Sequence, residues 1–591
     1  MRAAPAGKEL LSSGPTGVPS SDECTCRTRG CLDAGKRKPA EPHFNRSTEI
    51  RLSKWQKKKK LTAEIYLKNM DQSVEPCDNF YKFACGGFLK STAIPGDKDS
   101  VSTFTLLSDE LEEQLRTSIE LPIRPNEPKP FRLVKNFYRS CMNEGESNCP
   151  NDRIRFTNNR VFARRDRGAE SQVASQSFEQ TRWMNSDNIS QISMPPESRL
   201  NDMSLYYNPM TLTALKKNYS SIPWKEYFVK LLPASDAILE DEVVIVSDTN
   251  YIASLEKLME VTPKRIQANY VMWRIVADSV SYLNRDMRAR ELAYMAVVKG
   301  VTERKPRWKE CIDAVSSPLS LSVGALYVRS YFNEEAKINA VNTIMDIRKQ
   351  LVKILRQVTV LFVINAREFA LEVAYCGYSI KVNWLFFRAE LPAGILQGVF
   401  FSNDRPKYTN YGAMGFFVGH EITHGFDNTG RQFDKNGNLA DWWATTTREN
   451  FVKRAKCMIH QYGNYTVDEI GLKKNKRIIL NGEKIVNENI ADNGGIKEAY
   501  LAYDDWAARN PSEKQLPGLD YTPKQMFWIS SANPWCTKYT SKALRHIVAT
   551  DVHSPAEFRV VGSLSNMPQF SNDFNCPIGS KMNPINKCSV W

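Results

Sequence analysis

No apolar run in this 591-residue chain is long enough to cross a bilayer. The most apolar stretch, Val358 to Ile364, falls far short of the ~18–20 residues a helical span needs. The amino terminus (M-R-A-A-P-A-G-K-E-L-L-S-S-G) lacks the apolar core of a secretory signal. There is no C-x-x-C pair, which excludes zinc ribbons and thioredoxin-like redox motifs. No internal repeat and no series of alternating strands is present, which argues against solenoids and all-β folds. Histidine is scarce: His43, His420, His424, His460, His546 and His553 are all there are. Two of them at ligand spacing therefore carry information.

What is present fits an ordinary globular protein, with 42% hydrophobic and 25% charged residues and a length sufficient for more than one lobe. The formal charge is +14, part of it in the run Lys54 to Lys60 and part between Arg153 and Arg167. Neither run lies near a nucleic-acid-binding signature, so both read as solvated arm or loop and no nucleic acid partner is expected. Thirteen cysteines are many for a reduced cytosolic enzyme. Sequons at Asn45, Asn188, Asn218 and Asn464 point the same way, to an extracellular location, although the amino terminus shows no route there.

Residues 1–60 are polar and rich in Pro and Lys, the composition of a disordered arm. Ser108 to Leu115 predicts a helix, and helical texture returns at Met210–Leu215 and Ile338–Leu355. Residues 150–200 show little periodicity and read as a long loop. Further on, Asn410 suits a helix N-cap. Met414, Val418 and Ile422 recur every four residues and define a buried face.

That helix carries His420-Glu421-Ile422-Thr423-His424, an H-E-x-x-H segment. Two histidines one turn apart present both imidazoles to one ion, while Glu421 stands beside it, able to take a proton from a zinc-bound water. Such a motif arises by chance on the order of once in several hundred chains of this histidine content. Downstream, Glu488 and Asp492 are also four apart, in a segment that suits a helix ended by Gly494-Gly495. Glu488 can complete a metal shell, and Asp492 can accept the second N–H of a liganding imidazole. His553 and Arg559 are candidates for oxyanion and carbonyl contacts, which the sequence alone does not place at the metal.

Phe416 to Trp443 resembles the neprilysin and endothelin-converting-enzyme family of zinc metallopeptidases. So do Leu391–Phe401, Glu488–Gly495, Asp551–Gly562, Pro76–Gly86 and the terminal Cys588-Ser589-Val590-Trp591. The resemblance implies a mainly α, two-lobed zinc metallopeptidase, with a thermolysin-like catalytic lobe and a helical second lobe enclosing a cavity. Beyond the basic arm that composition gives at 1–60, it implies a largely helical-lobe region at 61–380, shortened near 355–390, and a zinc-catalytic domain at 381–591. One Zn2+ per chain would be held by His420, His424 and Glu488, with Glu421 as base and Asp492 orienting a liganding histidine. His553 would stabilise the tetrahedral intermediate and Arg559 would bind a substrate carbonyl. Ile395, Phe400, Phe416, Phe417 and Trp535 would wall the pocket for the residue after the scissile bond. The implied partners are short peptides, cut on the amino side of hydrophobic residues, and the implied place is the cell surface or the extracellular space. The implied disulfides are Cys77–Cys576, Cys85–Cys536, Cys141–Cys311 and Cys457–Cys588, with Cys26–Cys31 as a further candidate.

The chain also departs from that pattern. The family's membrane span or signal sequence is not visible. The substrate-binding Asn-Ala is replaced by Val382-Asn383-Trp384, close to Pro392, and the region between Leu355 and Leu391 is shortened. An Arg that some members use to hold a terminal carboxylate is Ser100 here. Two readings follow: an active peptidase, or a catalytically impaired, peptide-binding homologue or truncated product.

Overall fold

The computed structural model describes residues 59–143, 202–232, 238–283, 285–357, 381–383, 388–390, 392–434, 437–468, 477–511 and 513–590. The arm before residue 59, the 150–200 segment, the Val358–Ile364 run and the cysteines at 24, 26, 31, 149 and 376 lie outside them.

Helix starts follow local capping chemistry. Helix α1 (Phe80–Ser91) opens on Asn79, whose side chain accepts the Lys82 N–H at 2.9 Å. Helix α2 (Thr103–Glu120) contains the expected Ser108–Leu115 segment and opens on a reciprocal box. There Ser102 Oγ accepts from Thr105 N at 3.1 Å, and Thr105 Oγ1 accepts from Ser102 N at 2.8 Å. Met210–Leu215 is corrected: Asn208–Thr211 is a strand paired with Val243–Val246, and the helix begins only at Leu212. Thr211 is the cause, since its hydroxyl accepts from Ala214 N at 3.1 Å and starts a helix instead of sitting inside one.

Among the described residues every sheet is a two-stranded antiparallel pair. β1 (Ser100–Ser102) joins a late strand, Thr537–Tyr539. Lys381–Asn383 and Arg388–Glu390 form a short hairpin just before Pro392. Helices otherwise dominate the two lobes, whose described residues form two larger hydrophobic cores and a small third one around Leu212, Leu215, Tyr219 and Val246. One core packs α2, α3 (Lys129–Met142), α4 (Arg307–Ser316) and α5 (Ser320–Tyr331) through Leu115, Val134, Ile312 and Leu326. The larger core takes residues from Ala63 to Val101 and from α6 (Glu334–Gln357), then from Ile395 to Val590. The segments on either side of the helical lobe thus pack into the same core as the carboxy-terminal part.

Four disulfides join the cysteine pairs that the resemblance implies, with Cα–Cα separations of 5.3, 5.1, 5.6 and 5.6 Å. Cys77–Cys576 and Cys85–Cys536 tie α1 and its approach to the carboxy-terminal elements, closing loops of 499 and 451 residues. Each such closure contributes about 2–4 kcal/mol. Among the described residues no single helix is long and apolar enough to cross a membrane. The bent pair α4–α5 has the length and composition, but turns by 110° and supplies buried residues to the second core.

Candidate metal centre and active site

Helix α7 (Lys407–Thr423) starts after Pro406 and is buried over almost its whole length. Asn410 does not cap it. The helix begins three residues earlier, and the Asn410 amide instead holds the preceding loop, accepting from Ser402 N at 3.1 Å and donating to Ser402 O at 2.8 Å. Its true N-terminal partner is Glu513, which accepts the Lys407 N–H. At its far end α7 tightens into a 3-10 turn, His424–Phe426.

Helix α8 (Val486–Arg509) crosses α7 backbone to backbone. A Cβ on Gly419 would stand 2.5 Å from Gly495 O, and one on Gly495 would stand 2.3 Å from His420 N. Gly494-Gly495 therefore does not end the helix, which continues to Arg509. The glycines are needed for close approach, and tertiary packing outweighs their helix-breaking tendency.

That approach brings three ligand atoms together. His420 Nε2 and His424 Nε2 are 3.0 Å apart, and Glu488 Oε2 lies 3.2 and 3.3 Å from them. Among the described residues this trio is the group of side chains able to hold a metal ion. Glu488 Oε2 is buried, and none of its imidazole neighbours is aligned as a hydrogen-bond donor. Burial alone would raise the Glu488 pKa, but His420, His424 and His553 hold it far below the usual carboxylate range.

Each ring has a fixed back side. His420 Nδ1 donates to Asp492 Oδ1 at 2.9 Å, and His424 Nδ1 donates to Asp427 Oδ2 at 2.8 Å. With Nδ1–H committed to carboxylates, both Nε2 lone pairs face the same point. Two lone pairs and a carboxylate oxygen at such distances repel unless a cation lies among them. In the metal-free protein a proton does this work: burial lowers the His424 pKa, but Asp427 and Glu488 outweigh it and raise it to about 10. Asp427 was not foreseen from the sequence. Its signal was slight, a carboxylate three residues past His424, and its other oxygen is fixed by Thr429 N at 2.8 Å and Gly430 N at 2.6 Å.

Asp492 is fully buried and doubly bonded by Arg559, from Nε at 2.8 Å and from Nη2 at 2.7 Å. Burial would raise its pKa, and Arg559 and His420 lower it. The Arg559 guanidinium carbon also lies 4.0 Å from the centre of the Trp535 ring. Its Nη1 has no acceptor among the described residues.

His553 precedes α9 (Ala556–Ser565) and points Nε2 at Glu488 Oε2, 3.1 Å away. Asp551 Oδ1 accepts from its Nδ1 at 2.8 Å and from its backbone N–H at 2.9 Å. Burial lowers the His553 pKa, yet Asp551 and Glu488 raise it to about 9. Its side chain remains 39% exposed, so solvent weakens these contacts. Glu421 is half-buried beside His420, with no hydrogen bond to its carboxylate among the described residues. His460 and His546 lie on other helices and take no part in the cluster.

Phe400, Phe416, Phe417 and Trp535 converge, with ring centroids 4.7 to 5.9 Å apart between neighbours, and Ile395 is buried in the same core. Phe104 of α2 completes the set, 4.4 Å from Phe400 and 5.1 Å from Phe417. It escaped the sequence reading because it lies some three hundred positions away. Asn383 sits in the short hairpin, and Ser100 pairs with Tyr539 in β1.

Two models of Peptidase family M13 match the chain, one over residues 76–153 and 167–362 and the other over 378–590. Neprilysin-2 of Drosophila melanogaster is 34% identical, with 90% of this chain and 88% of that protein covered. Neprilysin-11 of Caenorhabditis elegans is 30% identical, covering 90% and 80%. Membrane metallo-endopeptidase-like 1 of Mus musculus is 28% identical, covering 90% and 89%. The alignment with Neprilysin-2 runs over 697 positions, more than the chain's own 591 residues, so the chain lacks segments that this relative has within the aligned span. Among solved structures, the Mycobacterium tuberculosis zinc metalloprotease Zmp1 superposes with a TM-score of 0.71 at 20% identity, covering 89% of this chain and 98% of that one. PepO of Lactobacillus rhamnosis gives 0.66 at 18% identity, covering 86% and 98%. At those identities the likeness establishes the fold.

Proposed function

The chain belongs to peptidase family M13 and is a zinc metalloendopeptidase, and from that premise we propose that it cuts short peptides on the amino side of hydrophobic residues, with Glu421 as general base. The observation that carries this reading is the convergence of His420 Nε2, His424 Nε2 and Glu488 Oε2 beside Glu421.

The donor set fits zinc. Two imidazole nitrogens and one carboxylate oxygen exclude calcium and magnesium as preferred ions. Atoms bound at about 2.0–2.1 Å to a tetrahedral zinc stand about 3.3 Å from one another. The observed separations are 3.0, 3.2 and 3.3 Å. One ion per chain is the proposed stoichiometry, and three protein ligands leave a position for substrate or water. When bound, zinc supplies Lewis acidity, polarising a scissile carbonyl and making water more acidic.

The chain's own groups do the rest. Glu421, on the same helix and with no hydrogen bond to its carboxylate among the described residues, takes the proton of the attacking water and returns it to the leaving amine. His553 is kept protonated by Asp551 and can donate from Nε2 to the developing oxyanion. Arg559 holds Asp492, and so His420, through Nε and Nη2, while Nη1 is available to a substrate carbonyl. Trp535 touches both Arg559 and the Phe400–Phe416–Phe417 cluster, which supports a hydrophobic pocket next to that carbonyl contact. Four disulfides support an extracellular location, at the cell surface or secreted.

The test is to digest short peptides carrying one internal Phe or Leu and to map the cuts by mass spectrometry. Cuts before the hydrophobic residue are expected, and cuts after it or without regard to it would overturn the specificity. The segments missing relative to Neprilysin-2 favour a second reading, a peptide-binding homologue. Peptide binding by the folded, zinc-loaded chain with no product would support that alternative.

A further inference from the structure

Beneath the metal helix lies an acid that the proposed reaction does not use. Glu498, on α8, is 1% exposed and places Oε1 3.0 Å from Thr423 Oγ1. Thr423 is the residue immediately before His424 and the last residue of α7. Its Oγ1 also stands 2.7 Å from Gly419 O, the carbonyl one turn earlier.

A threonine hydroxyl has one hydrogen and two acceptor positions. Two oxygens 2.7 Å apart with no hydrogen between them repel, and Gly419 O has none to give. The Thr423 hydrogen therefore points at Gly419 O. What Thr423 offers to Glu498 is a lone pair, so the hydrogen in that second contact must come from Glu498. Its surroundings agree. Among the described residues Glu498 forms no ion pair, its buried Oε2 has no hydrogen-bond partner, and the charge acting on it is Lys497, the adjacent residue on the same helix. An ionised carboxylate in that position would leave one oxygen uncompensated, whereas a neutral acid leaves only an unpaired acceptor. Burial pushes the Glu498 pKa well above the usual carboxylate value, in the same direction.

We propose that Glu498 is a neutral carboxylic acid that donates through Thr423 to the last turn of the metal helix and so positions His424. The relay runs Glu498 to Thr423 to Gly419, so it pins the turn that spans His420 and ends at His424. Gly494, whose Cβ would stand 2.6 Å from Thr423, keeps the two helices close enough for it. Glu498 is a positioning residue, since it acts through Thr423 and touches no substrate. The proposal rests on the metallopeptidase reading only for the identity of the helix it braces.

Two measurements test it. In the infrared difference between wild type and Glu498→Gln, a band of a protonated carboxyl group is expected in wild type; its absence, with a carboxylate band in its place, would overturn the proposal whether or not the enzyme is active. Zinc affinity, measured by chelator competition on proteins whose folding is checked by circular dichroism, is the second. Glu498→Gln keeps a neutral donor and is expected to bind zinc within about threefold of wild type. Glu498→Leu, of similar size without a donor, is expected to lose about 10–100-fold, as for other supports of metal ligands. Thr423→Val is expected to lose as much, and the double variant no more than either alone. A Gln variant as weak as the Leu variant would show that charge is required and would contradict a neutral donor. A Leu variant equal to wild type would remove the positioning role.

Discussion

The Nε2 atoms of His420 and His424 face each other at 3.0 Å while both Nδ1 atoms are held by carboxylates, Asp492 and Asp427. This relationship makes the site a cation trap in which protons and zinc compete. His424 has a pKa of about 10 in the metal-free protein, so it carries a second proton at neutral pH. Zinc must displace it. Calorimetry at pH 7.5 in two buffers of different ionisation enthalpy is expected to show release of about one proton or more per zinc. The sign also fixes a stability trend: the folded-state pKa is raised, so this contribution to the metal-free protein is complete below about 6.5 and is lost as pH rises toward 10. No buffer dependence would contradict the arrangement.

Asp427 orients His424 from behind and has no other evident task than ordering its own turn. Asp427→Asn is expected to weaken zinc binding about 10–100-fold with little change in helix content. Equal affinity in the two proteins would show that the tautomer of His424 is set elsewhere.

Gly495 lets α8 lie against α7, and its Cβ would meet His420 N at 2.3 Å. Backbone on the other side cannot yield as a side chain would. Gly495→Ala is expected to cost about 1–3 kcal/mol, read as a drop in Tm, and to release zinc at lower chelator concentration. A fully stable, zinc-retaining variant would show that the helices can separate without moving Glu488.

His553 is held protonated up to about pH 9 chiefly by Asp551 against the cost of burial. Its imidazolium is therefore present at neutral pH and lost above that value. Zinc held by Glu488 would remove part of that support, so the alkaline limb of kcat/KM is expected below pH 9 and to move further down in Asp551→Asn, toward the free imidazole value. An unmoved limb would assign it to another group.

The candidate metal ligands were legible because the chemistry itself imposes a spacing. Two imidazoles on one helix must be four residues apart, and Glu488 with Asp492 repeats that interval. Asp427 and Asp551 were less legible because turns, not a helical period, place them. Gly494-Gly495 and Asn410 misled for a related reason. Each carries a strong local tendency, to stop or to start a helix, that contact with a neighbouring element overrides. Phe104 was invisible because the chain closes on itself through β1 and Thr537–Tyr539, far apart in sequence. Ser108–Leu115 is helical, as its composition predicts, because capping and composition agree there.

The most direct test joins metal content to turnover in one pair of proteins. Wild type and Glu421→Gln are purified, their zinc is measured, and cleavage of a short peptide with a central Phe is followed. One zinc per chain is expected in both, with cleavage by wild type before the Phe and at least about a hundredfold loss in Glu421→Gln. A wild-type protein that is folded and zinc-loaded yet cuts nothing, or a Glu421→Gln protein that cuts as well as wild type, would contradict it.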